Sequence, residues 1–175
     1  MRDRRAAGRG ATSTTGLTSA AAVEIREAAL GAKHPDVAVT LTYLGTVLRR
    51  CGDPEPARGR QVLERAREVL ERAREINTAA YGLQDWKLAV TLGHLGDVFR
   101  QLDDLTETRA ARESAFAIRQ SVYPGQHPEV AFAFRDLGRT LQDAGDVAGA
   151  LPHGARARDF RGRLRCRAPG DRHQP

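Results

Sequence analysis

The residues that could carry out chemistry are few, and their spacing builds no catalytic or metal site. Cys51 and Cys166 belong neither to a CxxC motif nor to a Cys/His cluster, which argues against a zinc site and against a disulfide framework. No Ser/His/Asp, Cys/His, phosphate-loop or metal-ligand pattern is visible. We therefore expect a protein that is not an enzyme and needs no cofactor and no metal. The cysteine usage fits a reducing compartment, so the predicted location is cytoplasmic.

The positive charge of the chain lies at its two ends. The net charge is +6, and the isoelectric point is about 10.1. Residues 1–10 carry four Arg and one Asp, and residues 154–175 carry seven Arg and two Asp, so the residues between carry a net charge of −2. No set of aromatic residues alternates with the tail arginines, which argues against a nucleic-acid partner. No segment is long and apolar enough to predict a membrane partner.

Three segments of the chain repeat one another. They read HPDVAVTLTYLGTVLRRCGD from His34, DWKLAVTLGHLGDVFRQLDD from Asp85 and HPEVAFAFRDLGRTLQDAGD from His127. Apolar residues recur in each at helical spacing, as in Val37, Leu41 and Leu44, which predicts one amphipathic helix per segment, here called an A helix. A second helical stretch, the B helix, lies between copies and ends at a turn with Gly. The expected order is B, A, B, A, B, A and a broken B.

The ends of the predicted helices carry matching signals. Pro35 and Pro128 suit a first helical turn, and Asp85 can cap the middle A helix. The predicted stops are Gly52-Asp53, Gly145-Asp146 and, with poorer chemistry, Asp103-Asp104. Glycine also recurs inside each A helix, where it costs about 1 kcal/mol relative to Ala, so these positions predict close helix contacts. They are Gly45, Gly96 and Gly138.

These segments resemble the tetratricopeptide repeat family, in the 42-residue form of kinesin light chains and of bacterial nucleotide-binding signalling proteins. The resemblance rests on the pairs Leu44-Gly45, Leu95-Gly96 and Leu137-Gly138 and on the small B-helix residues Ala57, Ala115 and Ala150. It implies an all-α, right-handed solenoid of antiparallel helix pairs with about three repeats. The helical repeat domain is expected over 18–153, with a disordered tail over 1–17. Thr108 and Arg112 depart from the family pattern and predict weaker packing in the second repeat.

The first spacing between copies is nine residues longer than the second. LERAREV from Leu63 is followed at once by LERAREI from Leu70, so seven residues are duplicated. Seven residues miss two full helical turns by only about 20°. We expect one longer B helix with an unchanged buried face, and two further residues in the turn near Pro54. A solvated helix end is the simpler interpretation, and a coiled-coil contact with another chain is the alternative.

The repeat pattern breaks off after His153. Residues 154–175 can be back-translated into GC-rich codons. When the reading frame is shifted to begin at the second base of each codon, these codons permit a residue typical of the family at every position. We therefore interpret residues 154–175 as the frame-shifted translation of a further repeat, with a native basic tail as the alternative. The nucleotide sequence decides between them. The last complete helix would then lose its partner, and we expect it to fray or to self-associate through an exposed face.

In the family, A helices line a concave groove that binds peptides or partner helices, which implies a protein–protein interaction module in a larger regulatory array. Register with the Leu-Gly pairs implies that the groove residues are Tyr43, Thr46, Arg49, Arg50, His94, Asp97, Arg100, Gln101, Arg135, Asp136 and Arg139. Five arginines against two acids indicate an acidic ligand. The paired Asn common in the family is absent, which argues against backbone clamping. The alternatives are nucleic-acid binding through the Arg-rich tails and a fragment without function.

Overall fold

The computed structural model describes residues 18–51, 55–123 and 127–145, and within these ranges the chain forms six α-helices and no strand. The helices are α1 (18–30), α2 (Pro35–Cys51), α3 (Pro56–Tyr81), α4 (Trp86–Gln101), α5 (Leu105–Val122) and α6 (Pro128–Asp143). The three A helices predicted from the repeat are α2, α4 and α6, and the B helices are α1, α3 and α5. The all-α prediction is confirmed for the described residues.

The helices stack in the order of the chain. Turns of four residues or fewer join α1 to α2, α3 to α4 and α4 to α5, so these neighbours run antiparallel. Helix α2 packs on α3, α3 on α4, α4 on α5 and α5 on α6, while α2 also contacts α4. The arrangement is an α-solenoid of antiparallel helix pairs, in which the A helices lie side by side.

Apolar side chains fill the spaces between the stacked helices. One cluster joins Leu70 of α3 to α4 and α5, and a second joins Val23 of α1 to α2 and α3. Leu48 packs against both clusters, so the first two repeats share one continuous core. A smaller, separate cluster contains Leu137 and Leu141 of α6 with Phe116 of α5. Burying one such Leu fully contributes about 1.5–3 kcal/mol.

Side chains cap the helices where the sequence places the starts. The Asp85 carboxylate accepts from the Lys87 N–H at 2.8 Å, which confirms the predicted cap of α4. At the start of α6, Nδ1 of His127 accepts from the Glu129 N–H at 3.2 Å. Asp103 adopts a positive φ of 62°, in the conformation that glycine usually supplies at a helix end. The predicted stop at Gly52-Asp53 lies outside the described residues.

Two mid-helix glycines mark close contacts between the helices of a pair, as expected. A Cβ at Gly45 would lie 2.5 Å from Cγ of Leu70, and a Cβ at Gly96 would lie 2.8 Å from Nε of Arg112. Leu70 and Arg112 hold equivalent positions, since each lies eleven residues before the Tyr at the end of its B helix. Arg112 thus stands where the preceding repeat has a buried leucine.

The duplicated heptad lengthens α3 without turning its buried face. Helix α3 has 26 residues and α5 has 18. Ala66, Leu70 and Ala73 are fully buried on one stripe, which confirms the prediction. Ala57, predicted as a small packing residue, is exposed in the first turn of α3. The small buried residue at that place is Ala66, because the nine extra residues lie between them.

The packing of the second and third repeats differs from two expectations. Thr108 is fully buried, and its hydroxyl donates to the Asp104 carbonyl oxygen at 2.6 Å, so this position is well packed. The expectation of an exposed apolar face on α6 is wrong, because Val130, Leu137 and Leu141 are at most 5% exposed. Self-association through that face therefore loses its basis. The predicted tails, 1–17 and 154–175, lie outside the described residues.

Candidate functional site: the A-helix groove

The A helices present one shared surface because they run in the same direction. Midway along α2, Oγ1 of Thr42 lies 3.3 Å from Oγ1 of Thr91 on α4. Near their ends, the Arg49 guanidinium lies 3.6 Å from the Asp97 carboxylate. We call the surface formed by the solvent-facing residues of α2, α4 and α6 the A-helix groove.

All eleven predicted groove residues keep solvent access on their A helices. Those that are exposed are Tyr43, Arg50, Gln101, Arg135 and Arg139. Those that are half-buried are Thr46, Arg49, His94, Asp97, Arg100 and Asp136. The structure thus permits every predicted residue to meet a ligand, although it brings only some of them together.

An ion-pair network joins the three A helices, and its centre is Arg112 of α5. The Arg112 guanidinium pairs with the Asp97 carboxylate on α4 and with the Asp136 carboxylate on α6, the latter at 3.1 Å. Arg49 adds a second partner to Asp97, and Arg135 lies 2.9 Å from the Asp136 carboxylate. Only 11% of the Arg112 side chain is exposed, and its Nε has no hydrogen-bond partner.

The remaining predicted arginines are not part of this network. Arg50, Arg100 and Arg139 form no ion pair within the described ranges. They lie in the C-terminal halves of their A helices, so they form the uncompensated basic side of the groove.

A small cavity of about 140 Å³ opens between α4, α5 and α6. His94, Arg112 and Arg119 line its polar side, and Val90 and Phe132 line its apolar side. Nε of Arg119 lies 3.4 Å from the Glu129 carboxylate. Gly93 leaves room beside this guanidinium, since a Cβ there would lie 3.6 Å from one terminal nitrogen of Arg119. The cavity can therefore take a single side chain of a partner.

Burial lowers the pKa of His94 below its ordinary value of 6.5. The Asp97 carboxylate opposes this change, while Arg49, Arg112 and Arg119 add to it. A lowered pKa favours the neutral imidazole near pH 7. His94 thus offers both a hydrogen-bond donor and an acceptor in the groove.

Two parts of the groove were not predicted from the sequence. The first is apolar: Val39 and Phe132 are 51% and 50% exposed, and Val90 at the same position of α4 lines the cavity. An apolar residue five positions before the Leu of each Leu-Gly pair was the available signal. The second part is Arg112 and Arg119, which reach the groove from a B helix. The repeated sequence pattern of the A helices gives no indication of residues on a B helix.

The described ranges hold no cluster of three or more metal-ligating side chains. None of the helices in those ranges combines the length and apolar character that crossing a membrane requires.

Comparison with known proteins assigns part of the chain to a family. Residues 87–162 match the family model described as Tetratricopeptide repeat. This segment of the chain therefore belongs to the tetratricopeptide repeat family. The match runs past His153 into the segment interpreted as frame-shifted, and that interpretation stays a prediction. No curated protein sequence matches the chain.

Solved tetratricopeptide-type structures share the fold. BtubC (BKLC) from P. vanneervenii is similar with a TM-score of 0.78 and 22% identity, over 95% of this chain and 63% of that one. A protein of kinesin light chain type from Podosopora anserina, with nearly identical TPR-like repeats, gives 0.69 and 17%, over 89% and 69%. A variant of that protein gives 0.71 and 17%, over 90% and 70%. At these identities the likeness concerns the fold alone.

Tetratricopeptide repeats generally mediate protein–protein interactions, and helical repeats of this kind are typically non-enzymatic scaffolds. The chain spans less than two thirds of BtubC.

Proposed function

We propose that this chain is a protein-interaction module that binds an extended peptide or a partner segment in the A-helix groove. The observation that carries the proposal is the exposure of Val39 and Tyr43 on α2 and of Phe132 on α6, beside a charged network. Large apolar side chains with polar neighbours are typical of binding surfaces.

The charge of the groove supports an acidic ligand. Seven arginines face or border the groove, namely Arg49, Arg50, Arg100, Arg112, Arg119, Arg135 and Arg139, against Asp97, Asp136 and Glu129. The acids are all paired with arginine, so the surplus is positive. A carboxylate-rich segment would meet Arg50, Arg100 and Arg139, whose guanidinium groups are not used in ion pairs.

The experiment selects random peptides of about twelve residues against the full chain and measures affinity for the Arg100→Ala variant. We expect acidic peptides whose affinity falls several-fold in this variant and at higher salt. Arg109→Ala is the matched control, because Arg109 lies on the exposed side of α5, where it pairs with Glu113. Equal affinity of both variants would argue against binding in the A-helix groove. Selection of peptides without acidic residues would argue against a preference for acidic ligands.

The cytoplasmic location and the place in a larger regulatory array are part of the same proposal. The solved relatives extend beyond the matched region, which supports a longer array. Nucleic-acid binding through the tails is the alternative that their arginines favour. Removal of residues 154–175 separates the two: it would abolish nucleic-acid binding and would spare peptide binding.

A further inference from the structure

The three B helices carry isoleucine at an equivalent position, and one of the three is exposed. Leu30 and Tyr81 end α1 and α3, and Tyr123 directly follows α5. Counting back five residues from these three positions gives Ile25, Ile76 and Ile118. Ile76 and Ile118 are each 6% exposed, whereas Ile25 is 69% exposed.

The two buried isoleucines show what normally covers this position. Ile76 belongs to the apolar cluster of Val37 and Leu41, which lie on α2. Ile118 belongs to the cluster of Leu88 and Leu92, which lie on α4. In both cases the cover is the A helix that precedes the B helix in the chain. Among the described residues, α1 has no such helix.

The other side of α1 is packed as in α5, whereas α3 has the exposed Arg74 at the position of Val23. Val23 is 7% exposed and packs against α2, and Phe116 at the equivalent position of α5 packs against α6. Arg26 hydrogen-bonds Oγ1 of Thr40. Helix α1 therefore sits on the next A helix in the orientation of a B helix, and only the contact with its own A helix is missing.

The uncovered face of α1 is suited to close helix packing. Its exposed residues beside Ile25 are Ala21, Ala28 and Ala29, which carry no charge. Ala22 is half-buried, while its equivalents Ala73 and Ala115 are 0% and 2% exposed. Residues 1–17 contain only Met1 and Leu17 as large apolar residues, so they cannot supply an apolar helical stripe.

We propose that this face of α1 docks an amphipathic helix of the A type, with apolar residues spaced as in Val37, Leu41, Leu44 and Leu48. Such a helix would cover Ile25 in the way that α2 covers Ile76 and α4 covers Ile118. A second copy is a poor occupant, because the apolar stripe of its own α2, with Val37, Leu41 and Leu44, is already buried. The inference extends the array role in the proposed function and does not depend on the A-helix groove.

The test measures binding of a labelled peptide of residues 35–51 to the full chain by fluorescence anisotropy. A hydrocarbon staple on the side opposite the apolar stripe holds the peptide helical. We expect saturable binding that weakens at least tenfold in the Ile25→Glu variant, because the carboxylate would be buried under the docked helix. The side chain is exposed in the free chain, so its folding should be unaffected, which circular dichroism checks.

Two controls locate the binding. A stapled peptide with Leu41 and Leu48 both changed to Glu should not bind, and the Val39→Glu variant on the A-helix groove should bind the original peptide normally. Absence of binding to the unaltered chain, or equal binding to Ile25→Glu, would overturn the proposal. Peptides that bind the A-helix groove should bind Ile25→Glu as they bind the unaltered chain. A negative result for the α1 face is therefore distinguishable from a negative result for the A-helix groove.

Discussion

At the scale of single residues, Arg112 shows how a charge can occupy a packing position. Its counterpart Leu70 is fully buried against Gly45, and Arg112 lies against Gly96 in the same way. The guanidinium then reaches two carboxylates on different A helices, Asp97 and Asp136. One side chain therefore fills the space inside a helix pair and links α4 to α6.

We expect the Arg112→Ala variant to lower the free energy of unfolding by about 1–3 kcal/mol, because it leaves a gap over Gly96 and removes one of the two arginine partners of each half-buried carboxylate. Arg112→Leu should cost less, since leucine fills the same space at Leu70. Urea unfolding followed by circular dichroism measures both. Arg109→Ala, an exposed position of the same helix, is the control. If Arg112→Ala matched that control, the network would contribute nothing to stability.

The mid-helix glycines give a prediction with an internal control. Gly45→Ala should destabilise the chain by about 1–3 kcal/mol, because the new Cβ would lie 2.5 Å from Cγ of Leu70. Gly93→Ala should instead stabilise it by up to about 1 kcal/mol, since its nearest neighbour is 3.6 Å away and alanine favours helix. Thermal unfolding of both variants checks the signs. Equal effects at the two positions would contradict the close packing of α2 on α3.

His94 gives the groove a pH dependence. Burial lowers its pKa in the folded state below the unfolded value of 6.5. As the pH falls through about 6.5, the unfolded chain takes up a proton before the folded chain does, so folding loses stability. The His94→Gln variant should therefore lose less stability than the unaltered chain between about pH 8 and pH 5.5. Urea unfolding at both pH values measures this difference, and identical losses would show that His94 is not the responsible group.

At the scale of elements, α3 shows that a helix can be two turns longer at an end that contributes no fully buried residue to the core. Residues 56–62 are exposed or half-buried, whereas the fully buried residues begin at Ala66. The extra turns lie beside Leu102 and Asp103 at the end of α4. The added heptad therefore extends α3 past the pair that it forms with α2.

Deletion of residues 56–62 should leave the chain folded, with a loss in unfolding free energy below about 1 kcal/mol. The shortened helix would begin at Leu63, which is equivalent to Leu105 at the start of α5. Leu70→Ala is the contrasting variant in the same helix and should cost about 2–5 kcal/mol. Urea unfolding compares the two. A deletion as costly as Leu70→Ala would mean that the extra turns support the core.

The elements were predictable because each A helix repeats the same apolar spacing and the same end signals. The register of α3 was only partly predictable. Counting forward from Gly52-Asp53 assigns the small packing residue to Ala57, while counting back from Tyr81 assigns it to Ala66, and only the second count avoids the insertion. The groove was predictable on A helices alone. Arg112 and Arg119 lie on a B helix, and Arg112 reaches Asp97 and Asp136 across Gly96, where a Cβ would lie 2.8 Å from its Nε.

At the scale of the whole molecule, the core changes character along the solenoid. The first two repeats share a continuous apolar core, whereas the described contacts of α6 combine the small cluster at Leu137 and Leu141 with the Arg112 ion pairs. Apolar packing strengthens or changes little with salt, while partly exposed ion pairs are screened.

We therefore expect amide hydrogens of α6 to exchange faster than those of α4, with a difference that grows as sodium chloride is raised from about 0.05 to 0.5 M. Hydrogen exchange with mass spectrometry measures both helices in one sample. The Arg112→Leu variant is the control and should lower the salt dependence of α6, although the Arg119–Glu129 ion pair remains. Uniform protection at both salt concentrations would show that α6 and α4 open as one unit.

The parallel direction of α2, α4 and α6 has an electrostatic consequence for the groove. Each helix carries a partial negative charge at its carboxyl end, and these ends lie along the same edge. Arg49, Arg50 and Arg100 stand in the last turns of α2 and α4, where they offset that charge. The field that a ligand meets along this edge is therefore weaker than the number of arginines suggests, and α6 differs from α2 and α4 because it has no basic residue in its last turn.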